Sequence, residues 1–143
     1  MLYIICTPIG NLNDFSLRSI NTLKEVDIIF AEDTRVTSKL LKYFDIQKKT
    51  RPLHEHNEAK VSDDIIKLIK NGSAIALLSD AGAPLISDPG YPLIQRCIKE
   101  NICFTVLPGP SAVINAVILS GLPSDKFLFN GFLPKQTEAK RKI

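Results

Sequence analysis

Short apolar runs alternate with amphipathic stretches along this chain. LYIICT (2–7), DIIFAE (27–32), AIALLS (74–79) and CFTVLP (103–108) are nearly continuous apolar runs, as expected of strands covered on both faces. Between them apolar positions recur at helical spacing. Phe15 to Glu25 reads as a helix with Leu17, Ile20 and Leu23 as its stripe, and Asn13 or Asp14 as its cap. SKLLKYF continues as a second helix. Glu58 to Lys70 forms a third, with Ile65, Leu68 and Ile69 apolar, closed by Asn71-Gly72 in the left-handed conformation glycine allows. Tyr91 to Glu100 and the apolar stretch Ser111 to Ser120, ended by Gly121, complete the set. RPLHE (51–55) reads as a short strand. Pro52 cannot donate to a ladder, so that strand belongs at a sheet edge.

Strand and helix thus alternate about five times, which predicts an α/β domain with a mainly parallel sheet of about five strands and helices on both faces. In such sheets ligands bind beyond the carboxyl ends of the strands. The turns leaving those ends are TPIGNLND, AEDTR, SDAGAPLISDPG and LPGPSA, all rich in Gly, Pro, Asp, Asn, Ser or Thr. The turns at the opposite edge, NGS and ENI, are short and plain. One edge is therefore marked for a ligand. Turn-making alone accounts for one such loop; four on the same edge favour a binding site.

Composition narrows the class. A chain of 143 residues, 45% hydrophobic, fits one domain of ordinary size. No apolar run approaches the roughly 18–20 residues of a membrane span, and MLYIIC lacks the form of a signal peptide. Cys6, Cys97 and Cys103 lie in or beside apolar stretches, which suggests reduced core thiols and a cytoplasmic protein. The formal charge of +3 sits in the tail, where Lys135, Lys140, Arg141 and Lys142 face only Glu138. A second basic concentration runs from Arg35 to Arg51. Within it Arg35, Lys39 and Lys42 fall at i, i+4 and i+7, one face of a helix. That face is either simply solvated or a phosphate-contacting patch.

The candidate chemistry is mostly main chain. G-x-G-x-x-G and the Walker glycine-lysine motif are absent, as is G-x-S-x-G. His54 and His56 share a face of an extended segment but are the only histidines, and no cysteine pair has ligand spacing, so no metal is expected. Gly82, Gly90 and Gly109 let main chain approach a ligand closely. Ser111 stands at a helix start, where backbone amides face outward. Asp80 and Asp88 can accept hydrogen bonds from an amine or a hydroxyl. Such a site suits a small zwitterionic or nucleoside ligand.

TPIGNLND, AEDTR, HEHNE, SDAGAPLISDPG and LPGPSA, in this order, resemble the N-terminal half of the bacterial small-subunit ribosomal RNA cytidine 2′-O-methyltransferases, within the S-adenosylmethionine-dependent tetrapyrrole methylase superfamily. The resemblance covers essentially the whole chain. It implies methyl transfer from S-adenosylmethionine to a ribose hydroxyl of ribosomal RNA, a homodimer in the full-length form, and a cofactor folded between two α/β domains. By position it implies Pro8, Asp80, Ala81, Gly82, Ser111 and Ala112 as cofactor-binding residues, with Ala83 where the family more often has Thr. Arg35, Lys39 and Lys42 become substrate-binding candidates. The base that takes the hydroxyl proton is left among Asp33, His54, His56 and Asp88.

The resemblance also implies residues 1–123 as the cofactor- and substrate-binding domain. It makes 124–143 a linker and truncated start of a second domain, with FLFNGFLPK holding a first strand and TEAKRKI opening a helix. Two other readings share these motifs. One is a methylase of a tetrapyrrole-like small molecule; the other is a non-catalytic cofactor- or RNA-binding module.

Overall fold

The computed structural model describes residues 1–132. These fall into two compact units, one of Met1–Ser111 and a second that begins at Ala112. The first contains β1 (Leu2–Ile5), α1 (Leu17–Glu25), β2 (Ile28–Ala31), α2 (Thr34–Tyr43), β3 (Lys49–Pro52), α3 (Glu58–Lys70), β4 (Ile75–Leu78), α4 (Tyr91–Lys99) and β5 (Phe104–Leu107). The strands form one sheet in the order β3-β2-β4-β1-β5, and every pairing is parallel.

The apolar runs form the central strands because both of their faces are covered. Ile5, Ile29, Ala76 and Leu78 pack against Leu23 of α1 and against Leu40 and Leu41 of α2. Leu2, Phe30, Ile75 and Leu77 point the other way, onto Ile65 and Ile66 of α3 and Leu93 and Cys97 of α4. All four residues of β4 are buried. Each fully buried Leu or Ile contributes about 1.5–3 kcal/mol through removal of apolar surface from water. The chain leaves β1 and β2 onto the α1/α2 face and leaves β3 and β4 onto the α3/α4 face. Adjacent β1 and β4 therefore send their connections to opposite sides, which opens a crevice at their carboxyl ends.

Several element boundaries differ from those expected. The first helix begins at Leu17 with Ser16 as its cap, accepting from the Ser19 amide; Asn13 and Asp14 lie instead in a 3-10 turn, Leu12–Asp14, capped by Asn11. That start turns Ser19 and Leu23 inward and leaves Leu17 78% exposed, outside the stripe. The second helix starts at Thr34 because the Asp33 side chain caps it. The edge strand is present but lies two residues earlier, at Lys49–Pro52. Its ladder reaches one amide past Pro52, where Leu53 donates to the Ala31 carbonyl at 2.8 Å. The third helix has the expected ends, and Gly72 adopts φ +94 after it. Cys6 and Cys97 are buried free thiols, raised in pKa chiefly by burial, whereas Cys103, just ahead of edge strand β5, is exposed.

In the second unit α5 (Ala112–Leu119) buries none of its residues, and Gly121 after it has φ +67. Residues 124–132 form neither helix nor strand. The expected TEAKRKI helix lies outside the described residues.

The LPGP turn after β5 touches the end of β1. A Cβ on Gly109 would lie 2.9 Å from Cys6 Cβ and 3.3 Å from the Cys6 carbonyl oxygen. Gly109→Ala should therefore lower stability by about 1–3 kcal/mol, the usual range for overpacking. Urea unfolding of the two proteins measures this, and equal midpoints would contradict the close approach.

Candidate functional site

The carboxyl ends of β1 and β4 are joined beyond the last ladder residues. Thr7 N–H donates to the Gly82 carbonyl at 2.8 Å, and Gly82 N–H donates back to the Thr7 carbonyl at 3.1 Å. The pair is antiparallel although its strands are parallel. The turn after β4 must therefore double back, and Gly82 makes this possible with φ +85. A Cβ there would also sit 3.4 Å from the Ile9 side chain. Thr7 Oγ1 donates to the Ser79 carbonyl, and the Ser79 hydroxyl reaches the Gly82 carbonyl, both at 3.2 Å. Main-chain polar groups of Gly82 are thus engaged within the fold. The Gly82 amide is therefore not available as a donor to anything else.

Beside this junction lies a cavity of about 330 Å³. Its floor is Thr7, Pro8, Ser79 and Asp80; its walls are Gly10 and Leu12 of the first turn, and Val36, Thr37, Lys39, Leu40 and Tyr43 of α2. Pro8 and Asp80, expected from sequence as cofactor residues, meet here. Ala81 is exposed next to them. Ser111 closes the first unit after β5, while Ala112 opens α5 in the second.

The rim is acidic. Glu32 follows β2, and sheet order puts β2 next to β4. Its carboxyl is raised first by burial and then by Asp88, Asp80 and Glu55, although the Asp80 backbone N–H hydrogen-bonds to it. Asp88 is likewise raised by burial and by Asp80, with partial relief from the Ser79 hydroxyl. Asp80 Oδ1 accepts the Asp33 amide at 3.1 Å. Sequence reasoning missed Glu32. Its signal was present, a carboxylate directly after a buried strand in AEDTR, but only the β2–β4 adjacency brings it to Asp80 and Asp88.

The remaining candidates scatter. Asp33 caps α2 and grips the Arg35 guanidinium at 2.6 Å, which lowers its carboxyl to about 2 and makes it a weak base. His54 and His56 have ring centres 5.9 Å apart on the turn that leads into α3, and His54 Nδ1 is buried without a hydrogen-bond partner among the described residues. Glu55, between them, is exposed and adds a small repulsion to the Glu32 carboxyl. The basic residues of 35–51 do not form one surface. Arg35 is held by Asp33, Lys48 donates to the Val26 carbonyl at 2.7 Å, and Arg51 meets Asp64 at 3.4 Å. Lys39 lines the cavity described above, and Lys42 lines a separate one with Ser38, Asp45 and Gln47. Among the described residues no three His, Cys, Asp or Glu side chains gather as a metal site.

Residues 1–142 match the model of the tetrapyrrole (corrin/porphyrin) methylases, and the chain belongs to that family. It is 50% identical over 141 residues to the ribosomal RNA small subunit methyltransferase I of Vibrio cholerae, covering 99% of this chain and 49% of that protein. With the protein of the same name from Thermotoga maritima it shares 48% over 140 residues, 98% of this chain and 63% of the relative. The chain thus spans roughly half the length of such relatives. Among solved structures, uroporphyrin-III-C-methyltransferase from Thermus thermophilus shares the fold, with TM-score 0.64 and 21% identity over 85% of this chain and 52% of that one.

The rim has a pH signature. A carboxyl whose pKa is higher folded than unfolded weakens the fold once ionised. That penalty is complete above the folded pKa and vanishes as pH falls through the unfolded value. Glu32→Gln removes the charge and keeps an acceptor for the Asp80 amide. The variant should be more stable than the parent near pH 7, with the difference closing toward about pH 4. Thermal unfolding at both pH values measures this, and a difference that grows on acidification would contradict the assignment.

Proposed function

We propose that this chain forms the cofactor-binding, N-terminal part of an S-adenosylmethionine-dependent methyltransferase acting on a cytidine ribose 2′-hydroxyl in small-subunit ribosomal RNA. The observation that carries the reading is the cavity at the β1–β4 exits, floored by Thr7, Pro8, Ser79 and Asp80 beside an acidic rim. Relatives about half identical in sequence bear the name of a ribosomal RNA methyltransferase, which supports the RNA substrate.

The residues suit the cofactor's chemistry. S-adenosylmethionine carries a sulfonium and an ammonium cation, which Glu32, Asp80 and Asp88 would favour by charge. Asp80 has a second oxygen available for a ribose hydroxyl, since the Asp33 amide engages only Oδ1. Pro8, Ala81 and the tight turn at Gly82 offer small, stiff surfaces to the rest. When bound, the cofactor supplies an electrophilic methyl group. The chain's own part is positioning and proton removal. Glu32 and Asp88, both raised toward neutrality, are better placed than Asp33 to accept the proton of the ribose hydroxyl.

A tetrapyrrole-like substrate fits the cavity poorly. A macrocycle bearing several carboxylates needs several cations around it. Among the described residues the lining supplies one, Lys39.

Asp80→Asn tests the cofactor reading, because Asn still accepts the Asp33 amide. Calorimetry should show S-adenosylmethionine binding to the chain weakened by about tenfold or more, in keeping with loss of a charge-assisted contact, with no loss of stability, since the change also relieves repulsion on Glu32 and Asp88. Equal affinity would remove Asp80 from the site. A chain extended to the length of its relatives should transfer labelled methyl to a ribose oxygen of small-subunit RNA; transfer only to a small-molecule carbon would favour the tetrapyrrole reading.

A further inference from the structure

We infer that the α2 wall of the cavity receives an unpaired nucleotide of the RNA substrate, with Tyr43 stacking on its base and Lys39 contacting its phosphate. The inference rests on the RNA reading above and names the residues that would recognise that RNA.

Tyr43 is the last residue of α2, lines the cavity, and is 59% exposed. Its ring is not loose. It meets Phe44 edge-on at 4.9 Å and 81° between planes. Phe44 in turn packs at 5.3 Å on Phe15, which is buried in the α1/α2 core. The core thus braces an aromatic side chain that stays largely in water. A braced ring loses little conformational entropy on stacking, and base–aromatic stacking tolerates any base because every base has a π-face. Leu12 and Val36, also partly exposed, continue the apolar wall at the same opening.

Lys39 stands four residues before Tyr43, on the same side of the helix one turn away. Among the described residues it takes part in no salt bridge, unlike Arg35 and Arg51. A cation beside an exposed ring is the pairing that single-stranded nucleic acid calls for: charge for the phosphate, π-surface for the base. The floor of the same cavity, with Thr7, Ser79 and Asp80, lies where the proposed cofactor turns begin. A nucleotide held by the wall would therefore present its ribose toward that floor. A base still stacked in a duplex has no free face for Tyr43, so the wall selects an unpaired segment.

The test uses the 143-residue chain, a short single-stranded oligoribonucleotide, and S-adenosylmethionine titrated separately. Tyr43→Ala should weaken oligoribonucleotide binding by about tenfold, within the range of one lost base stack, while Tyr43→Phe should bind like the parent. Lys39→Gln should lower affinity and reduce the slope of log affinity against log salt by about 0.7. Lys24→Gln, an equal charge change in the last turn of α1, should leave the slope alone. Cofactor affinity should be the same in all four. Parental RNA binding by Tyr43→Ala, or equal damage from Tyr43→Phe, would overturn the inference. Loss of cofactor rather than RNA binding in Tyr43→Ala would overturn it in favour of a cofactor wall. A parent chain that binds cofactor but no RNA would overturn it as well, because Tyr43 and Lys39 both belong to this chain. Failure to bind either ligand would instead count against the proposed function.

Discussion

The Thr7–Gly82 pair is the constraint on which the cavity edge of the sheet depends. Neighbouring parallel strands normally part company at their ends, because each continues into its own crossover. Here the chain beyond the central strand β4 and that beyond its neighbour β1 stay tied by reciprocal amide bonds in the opposite sense. That geometry requires a residue at φ +85, which costs a side-chain-bearing residue of the order of 1–2 kcal/mol and glycine almost nothing. Thr7 and Ser79 are buried polar residues, 2% and 3% exposed, and their hydroxyls reach main-chain carbonyls of the same junction. Burial without such partners would be costly. The junction is therefore stiff, and Asp80, lying between Ser79 and Gly82, is held in a fixed position at the rim.

Charge is partitioned around that fixed point. Asp33 and Arg35 satisfy each other on the exposed start of α2, and their pair does not reach into the cavity. Among the described residues Glu32, Asp80 and Asp88 enter no salt bridge, Asp80 feeling the Arg35 charge only at longer range, and Glu32 and Asp88 are raised by burial and by the neighbouring carboxylates. Such repulsion weakens the empty fold and is relieved when a cation binds. The α2 wall opposite is apolar with one lysine. A ligand with a cationic end and a substrate with an anionic backbone would each find a suitable side. The same lining would serve a polycarboxylate poorly.

The fold was largely legible because the central strands are apolar on both faces, so their runs stand out against polar turns. The helices were legible where one face alone is apolar, as in Glu58–Lys70. Boundaries were misread where polar residues do structural work. Ser16 and Asp33 cap helices that hydrophobic spacing alone starts elsewhere, and β3 is written in Lys, Thr and Arg because an edge strand needs no apolar alternation. The four turns of unusual composition stood out, and two of them, TPIGNLND and SDAGAPLISDPG, border the cavity. The contribution of Glu32 was not, because no local pattern tells that β2 lies beside β4. Nor could spacing reveal that Arg35, Lys39 and Lys42, on one helical face, would divide among an ion pair and two separate cavities.

The near-repeat SDAGAPLI–SDPGYPLI shows how similar residues meet different demands. In the first copy Asp80 holds the start of α2 through the Asp33 amide, and Gly82 bridges to β1. In the second, Asp88 turns back toward Ser79, and Gly90, at φ +129, precedes α4 with Pro92 in its first turn. The Gly90 amide donates to Glu58 Oε1 at 2.5 Å, which ties the loop to the start of α3. A Cβ at Gly90 would press on Leu77 and Leu85 at 3.2 Å, so this glycine answers to the core and not to a ligand. Leu85, near the end of the first copy, and Ser87, which opens the second, take positive φ, a strain that persists only where both ends are anchored. One glycine shapes the floor of the cavity; the other fastens the loop that carries Asp88 to its rim. The echo comes from two tight reversals in one connection, each needing an acceptor, a glycine and a stiff proline.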